Sequence, residues 1–261
     1  MNSRSVAIIA LTALAASGCD VGVGFSDYRH SFTPADSHVT GTVNNISVNA
    51  DDGRVIVRTG TGNGVTVHRV LRYEKARPKP TESLSNGTLT FENNCRQCRI
   101  DYELTVPATV AVRARTGSGH IEVSGVASAD VGSDSGSIAV MNVAKGLSAH
   151  TDSGSIKLEN VSGDLDTSTD SGSIHGRAVS ASTVRASSDS GGIKLEFAKA
   201  PTTVRATNDS GSVSFALPGG PYHVDVATDS GGKHVTVPFS SDSKLELYVR
   251  TDSGGVTLIP A

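Results

Sequence analysis

Asp-Ser-Gly returns seven times in the second half of this chain, with its aspartate at Asp134, Asp152, Asp170, Asp189, Asp209, Asp229 and Asp252. Gly117-Ser118-Gly119 is a weaker copy upstream, and successive spacings are 17, 18, 18, 19, 20, 20 and 23 residues. A unit that recurs at this period while its connection drifts in length marks a stacked-repeat fold. One copy is too small to bury its own apolar face, so its neighbours must cover it.

Alignment on the aspartate shows where that face lies. Five and three residues before it stand Leu165/Thr167, Val184/Ala186, Val204/Ala206, Val224/Val226 and Leu247/Val249. Four and six residues after it stand Ile138/Val140, Ile156/Leu158, Ile193/Leu195, Val213/Phe215 and Val256/Leu258. Residues between these are mostly polar, the period-2 alternation of a strand with one buried face. Asp-Ser-Gly is then the bend between two short strands, with Asp and Ser bonding nearby backbone and Gly supplying positive φ. A second corner falls near Val126, Val143, Val161 and Val179. Stacked about 4.8 Å apart, such turns pair as parallel strands.

The fold class that follows is all-β: a single-domain parallel β-solenoid (β-helix) with coils of ~18–20 residues, each pairing with the next in sequence. In that order Ile156 and Ile193 have stacked neighbours on both sides, and Leu258, in the terminal coil, has one.

Residues 1–18 read as a signal peptide. Arg4 gives a positive n-region, and Val6 to Ala16 is an apolar run of eleven residues, too short to span a bilayer. The run ends in Ala16-Ser17-Gly18-Cys19, which resembles a bacterial lipobox. That resemblance implies cleavage before Cys19 and diacylglycerol on its sulfur, and so a protein held on the extracytoplasmic face of a lipid bilayer. An ordinary secretory signal with a cysteine nearby is the alternative. Residues 19–38 read as the lipidated Cys and a flexible tether containing Gly22, Gly24, Ser26 and Pro34. Its aromatics Phe25, Tyr28 and Phe32 are candidates to dock on the first coil instead.

Residues 39–261 read as one domain, with irregular coils over 39–110 and the regular repeats over 111–261. Asp51-Asp52-Gly53 is a bend between Ile46–Val48 and Val55–Val57, and Lys75 to Pro80 is a charged excursion from the edge of the stack. Aromatics are 4% of the chain and Gly is 28 of 261 residues, as tight corners require. A Gly/Ser-rich chain can be disordered, but disorder does not keep apolar residues at fixed offsets copy after copy. The net charge of −3 contains no basic block, which argues against a nucleic-acid partner.

The lipobox, the short tether, Val48-Asn-Ala-Asp-Asp-Gly-Arg-Val-Ile-Val57, a Cys-containing excursion closing on Tyr102-Glu-Leu-Thr-Val-Pro107, and the Asp-Ser-Gly-Ser-Ile coils form one pattern. It resembles the bacterial adhesin-like domain family of unknown function over roughly residues 39 to 261. The resemblance implies a β-solenoid exposed outside the cytoplasmic membrane, and it brings no catalytic residues with it.

Each constellation that invites chemistry also has a plainer reading. The stacked aspartates either form structural turns, accepting N–H bonds from the Ser and Gly that follow, or hold calcium between coils. Each charge-assisted bond is worth about 1.5–3 kcal/mol against roughly 1 kcal/mol of repulsion per neighbouring pair, so the turns need no metal. Cys95-Arg-Gln-Cys98 has redox spacing without a βαβ context, and outside the cytoplasm a Cys95–Cys98 disulfide is the plain reading. His175 and His234 share one outward offset three coils apart, too far to share a metal. Ser, His and Asp are plentiful enough to write a hydrolase triad on paper, but coils this short carry no cleft-forming loops. The Ser133, Thr151, Thr169, Ser188, Asn208, Thr228 and Thr251 row, just before the aspartates, is a hydroxyl-rich column for which ice-type water ordering is a remote reading. No metal and no cofactor are expected. Three functions stand: a surface-displayed, non-enzymatic adhesin-like binding module with an unidentified macromolecular partner; a structural or sensory envelope lipoprotein partnering a membrane regulator; and, distantly, a polysaccharide-active β-helix enzyme.

Overall fold

The structure, a computed structural model, describes residues 28–93 and 97–261. The signal peptide, Cys19 and Cys95 lie outside the described residues. Among those described there are 22 strands and no helix.

The chain enters through β1 (His30–Phe32) and β2 (Ser37–Val39), then makes a first coil from β3 (Asn45–Asn49) and β4 (Val55–Thr59). A detour through β5 (Val65–Tyr73) and β6 (Thr81–Ser85) leads into a coil of β7 (Thr88–Glu92) and β8 (Cys98–Val106). Regular winding follows in β9 (Ala111–Thr116), β10 (Ile121–Ser124), β11 (Ser128–Ser133), β12 (Ile138–Val143) and β13 (Leu147–Thr151). β14 (Ile156–Thr169) and β15 (Ile174–Ser188) each pass through the second corner and serve both sheets. The remaining strands are β16 (Ile193–Phe197), β17 (Thr203–Asn208), β18 (Val213–Leu217), β19 (His223–Thr228), β20 (Lys233–Val235), β21 (Glu246–Thr251) and β22 (Val256–Pro260).

Strands that precede the Asp-Ser-Gly corner make one parallel sheet, and strands that follow it make another. Pairing is in register, so Ile138, Ile156, Ile174, Ile193 and Val213 fall in one column. The inward columns of both sheets merge in one apolar core that runs from Val39 to Leu258. Like residues at like positions are what the equal spacing demands, and the expected solenoid-type winding is present.

The order of stacking departs from the order of the sequence at both ends. β21 lies between β17 and β19, and β22 lies between β18 and β20. The coil carrying Asp252 is therefore inserted inside the coil carrying Asp229, which becomes the end of the stack. Likewise β3 sits between β7 and β9, and β4 between β8 and β10. Leu258 consequently has Phe215 on one side and Val235 on the other, not the single neighbour expected of a terminal coil. His175 and His234 are four steps apart through Lys194, Ser214 and Thr257. The physical reason stands at Lys233, which occupies the inward position filled by Ile or Val in the other regular coils. A lysine there would bury an unpaired charge in mid-stack; at the end its Nζ reaches over and donates to Val226 O at 3.0 Å.

The two ends are finished differently. At the first, β5 runs antiparallel to β8 and itself carries β1 and β2, while β6 runs antiparallel to β7. The stretch expected to be a tether thus contains two strands, and Arg77 stacks over Phe32 of β1. At the other end β20 is three exposed residues long.

Candidate functional site

The Asp-Ser-Gly corner is built from three adjacent residue types with separate jobs. The residue before the aspartate points inward, as its two-residue offset from the apolar positions requires. Its hydroxyl accepts the glycine N–H of its own corner and donates to the glycine carbonyl of the coil stacked before it. Thus Gly154 N–H bonds Thr151 Oγ1 at 3.1 Å, and Thr151 Oγ1 donates to Gly136 O at 3.1 Å. The same pair recurs at Ser133, Thr169, Ser188 and Thr251, and Asn208 reproduces it with its amide. The hydroxyl column is therefore an internal ladder and not a water-ordering surface.

The glycine is fixed by close approach. A Cβ built on Gly154 would lie 2.0 Å from Gly136 O, and on Gly191 1.6 Å from Gly172 O. None of the seven Asp-Ser-Gly glycines is among the positive-φ residues, contrary to the turn chemistry expected. Left-handed backbone belongs to the second corner instead, at Asn142, Asn160 and Ala178, where Asn160 Nδ2 donates to Asn142 Oδ1 at 2.8 Å.

The aspartates are left over. All seven are exposed, and no hydrogen bond or ion pair to any of their carboxylates is found among the described residues. The N–H bonds expected of them go to the hydroxyl ladder and, for Asp and Ser N–H, to carbonyls of the neighbouring corner, as in Ser153 N–H to Asp134 O at 3.0 Å. The carboxylates form one outward row in the order Asp134, Asp152, Asp170, Asp189, Asp209, Asp252, Asp229. Where Gly117 interrupts it, a polar cavity of about 530 Å³ opens between Asp51, Asp52, Asp134, Asp152, Arg115 and His150. Among the described residues no group of three or more His, Cys, Asp or Glu is placed to hold a metal.

An imidazole meets a carboxylate at His68, whose Nδ1 lies 2.7 Å from Asp36 Oδ1, whereas His150 has its Nε2 and Nδ1 2.7 Å from Ser148 Oγ and Ser168 Oγ. Both ring nitrogens of His150 face serines, so no carboxylate orients that imidazole as a general base requires. Cys98 is in a disulfide; Cys95 is outside the described residues.

Two further features come from the stacking. On the outer face of the pre-corner sheet, Arg185, Arg205, Tyr248 and Asp225 line up across four coils. The inserted coil puts the Tyr248 ring 4.6 Å from the Arg205 guanidinium, and Arg250 pairs with Asp225 at 2.5 Å. At the capped end, Asp101 receives the guanidinium groups of Arg72 and Arg99 and the N–H of Arg54. Burial pushes its carboxyl up, but those donors outweigh it and hold it below the usual carboxylate range. Tyr102, whose hydroxyl has no partner among the described residues, is pushed up to about 12 by burial.

Such a body defines a class: an all-β, solenoid-like repeat protein with exposed charged columns. The chain belongs to the Toastrack DUF4097 family, whose model matches residues 43–258. No curated protein matches it. Among solved structures, a candidate adhesin from Bacteroides fragilis shares 14% identity and a TM-score of 0.54, over 90% of this chain and 100% of that one. A candidate adhesin from Parabacteroides distasonis has 9% identity and a TM-score of 0.33, over 86% and 96%. A candidate cell adhesion protein from Clostridium sporogenes has 10% identity and a TM-score of 0.27, over 87% and 100%.

Proposed function

We propose that this chain is a non-enzymatic, adhesin-like interaction module of the cell envelope, anchored by lipid on Cys19 and displayed on the extracytoplasmic face. The observation that carries the reading is the Arg185–Arg205–Tyr248–Asp225 column, a charged and aromatic strip held rigid by four paired coils. Backbone pairing fixes its spacing before any partner arrives, so little ordering accompanies binding. Adhesion is also the role named in the description of the Bacteroides fragilis protein. Exposed charges are individually weak and screened, so a contact of this kind is spread over coils and falls with salt.

The test has two arms. Arg185→Ala with Arg205→Ala is expected to weaken binding of the labelled protein to intact envelopes several-fold, with the melting temperature unchanged. Salt-independent binding, untouched by the pair, would point to a discrete pocket elsewhere. Cys19→Ala is expected to abolish metabolic palmitate labelling and release the protein from membranes; equal labelling of the variant refutes the anchor.

A further inference from the structure

Residues 74–80, Glu-Lys-Ala-Arg-Pro-Lys-Pro, cross the capped end of the stack, because β5 before them is paired to the last coil of one sheet and β6 after them to the last strand of the other. Lys75, Arg77 and Lys79 are exposed on this crossing, while Pro78 is buried and pins it. The Arg77 guanidinium lies 3.2 Å from the Phe32 ring centroid, which fastens the crossing to β1. Arg29, just before β1, is exposed beside it. None of these four cations has a carboxylate partner among the described residues, whereas at the same end Arg69 is paired with Glu82, and Arg72 and Arg99 share Asp101. Arg77 and Lys79 also line a cavity of about 470 Å³ whose other walls include Pro34, Leu71 and Pro80. Among the described residues between 69 and 101 there are six Lys/Arg and four Asp/Glu, a net +2 within a chain of net −3. Positive charge is thus collected at one end.

We propose that this end of the stack docks on the anionic phospholipid headgroups of the membrane, so that the coils stand away from the bilayer. The proposal rests on the anchoring reading for its choice of surface. Cys19 is nine residues before Tyr28, and nine residues span at most about 32 Å. Tyr28 leads directly into β1 at the capped end, so a lipid on Cys19 keeps this end, not the Asp229 end, within reach of the headgroups. The diacylglycerol on Cys19 and a cluster of cations then act together on the same surface.

The experiment uses residues 28–261, which contain the entire apolar core and lack Cys19, so its outcome is independent of lipidation. Co-flotation is measured with vesicles of phosphatidylcholine alone and with vesicles containing phosphatidylglycerol, at low and high salt. The expected result is binding to the anionic vesicles only, lost at high salt. Lys75→Ala/Arg77→Ala/Lys79→Ala should weaken it on the order of 100-fold at low salt. Lys157→Ala/Arg177→Ala/Lys194→Ala, an equal charge change on the outer face of the sheet that follows the Asp-Ser-Gly corner, in mid-stack, should leave it within about threefold. Equal losses in the two triple variants, binding to neutral vesicles, or no binding to either vesicle overturns the docking. Loss of palmitate labelling in Cys19→Ala reports separately on the anchor.

Discussion

At the scale of the residue, the corner ranks its three positions by what each would leave unsatisfied. Gly154 has a backbone carbonyl where a Cβ would go, and backbone in a stacked coil cannot step aside without breaking pairing on both faces. Gly154→Ala is therefore expected to cost more than about 3 kcal/mol. Thr169→Val keeps the shape but strands the Gly172 N–H and the Gly154 carbonyl, both buried, for about 2–3 kcal/mol. Asp170→Asn touches an exposed group with no partner and should fall within about 0.5 kcal/mol. Urea unfolding of the three variants checks the ranking, and an Asp170 loss as large as that at Thr169 would return the bend to the carboxylate. The corner itself was legible in the sequence, but its chemistry was assigned one residue too late. The period of two through Leu165 and Thr167 already placed Thr169 on the inward face. What hid its role is that Ser, Thr and Asp are interchangeable turn residues in general, and only cross-coil geometry shows which one faces the glycine of the coil stacked before it.

At the scale of the element, the periodic columns were readable and the order of the coils was not. Equal spacing says that coils stack, while a neighbour in sequence need not be a neighbour in space. The informative departure was Lys233 in a column of Ile and Val, an inward charge of the sort that edge strands use against further pairing. It assigns the Asp229 coil to the end and so frees the interior place for Leu247, Val249, Val256 and Leu258, the better apolar set. Leu258 is 0% exposed and Val235, its neighbour in the column, is 39% exposed. Leu258→Ala should then cost about 2–5 kcal/mol, matching Ile156→Ala, because each leaves a cavity between two packed coils. Val235→Ala should cost less than about 1 kcal/mol. Comparable losses at Val235 and Leu258, read by thermal unfolding, would restore the sequential order.

At the scale of the whole molecule, a parallel stack has no internal reason to stop, since each end presents unpaired strand edges to any similar strand. Here the two ends stop it by unlike means. The first end reverses direction: β5 and β6 pair antiparallel, and the 74–80 crossing closes the face between them. Nothing reverses at the second end, where β19 and β20 each pair on one side only. Its protection comes from the shortness of β20 and from Lys233, whose ammonium lies across the opening on Val226 O. A second molecule pairing there would trap that ammonium between two sheets, a desolvation that outweighs the few backbone bonds gained. Phe239, 64% exposed and bridged to Tyr222 just before β19, adds apolar surface at the same end. Lys233→Ile removes the charge and completes the inward column, so the variant should keep the melting temperature of the parent or exceed it slightly. It should also associate end to end with rising concentration, seen as a mass shift in sedimentation velocity, while the parent sediments unchanged over the same range. Lys233→Gln separates charge from shape: it should stay unassociated, because an amide in that place still demands partners that a docked edge cannot supply. An isoleucine variant that sediments like the parent at every concentration would mean that the short strand alone closes this end.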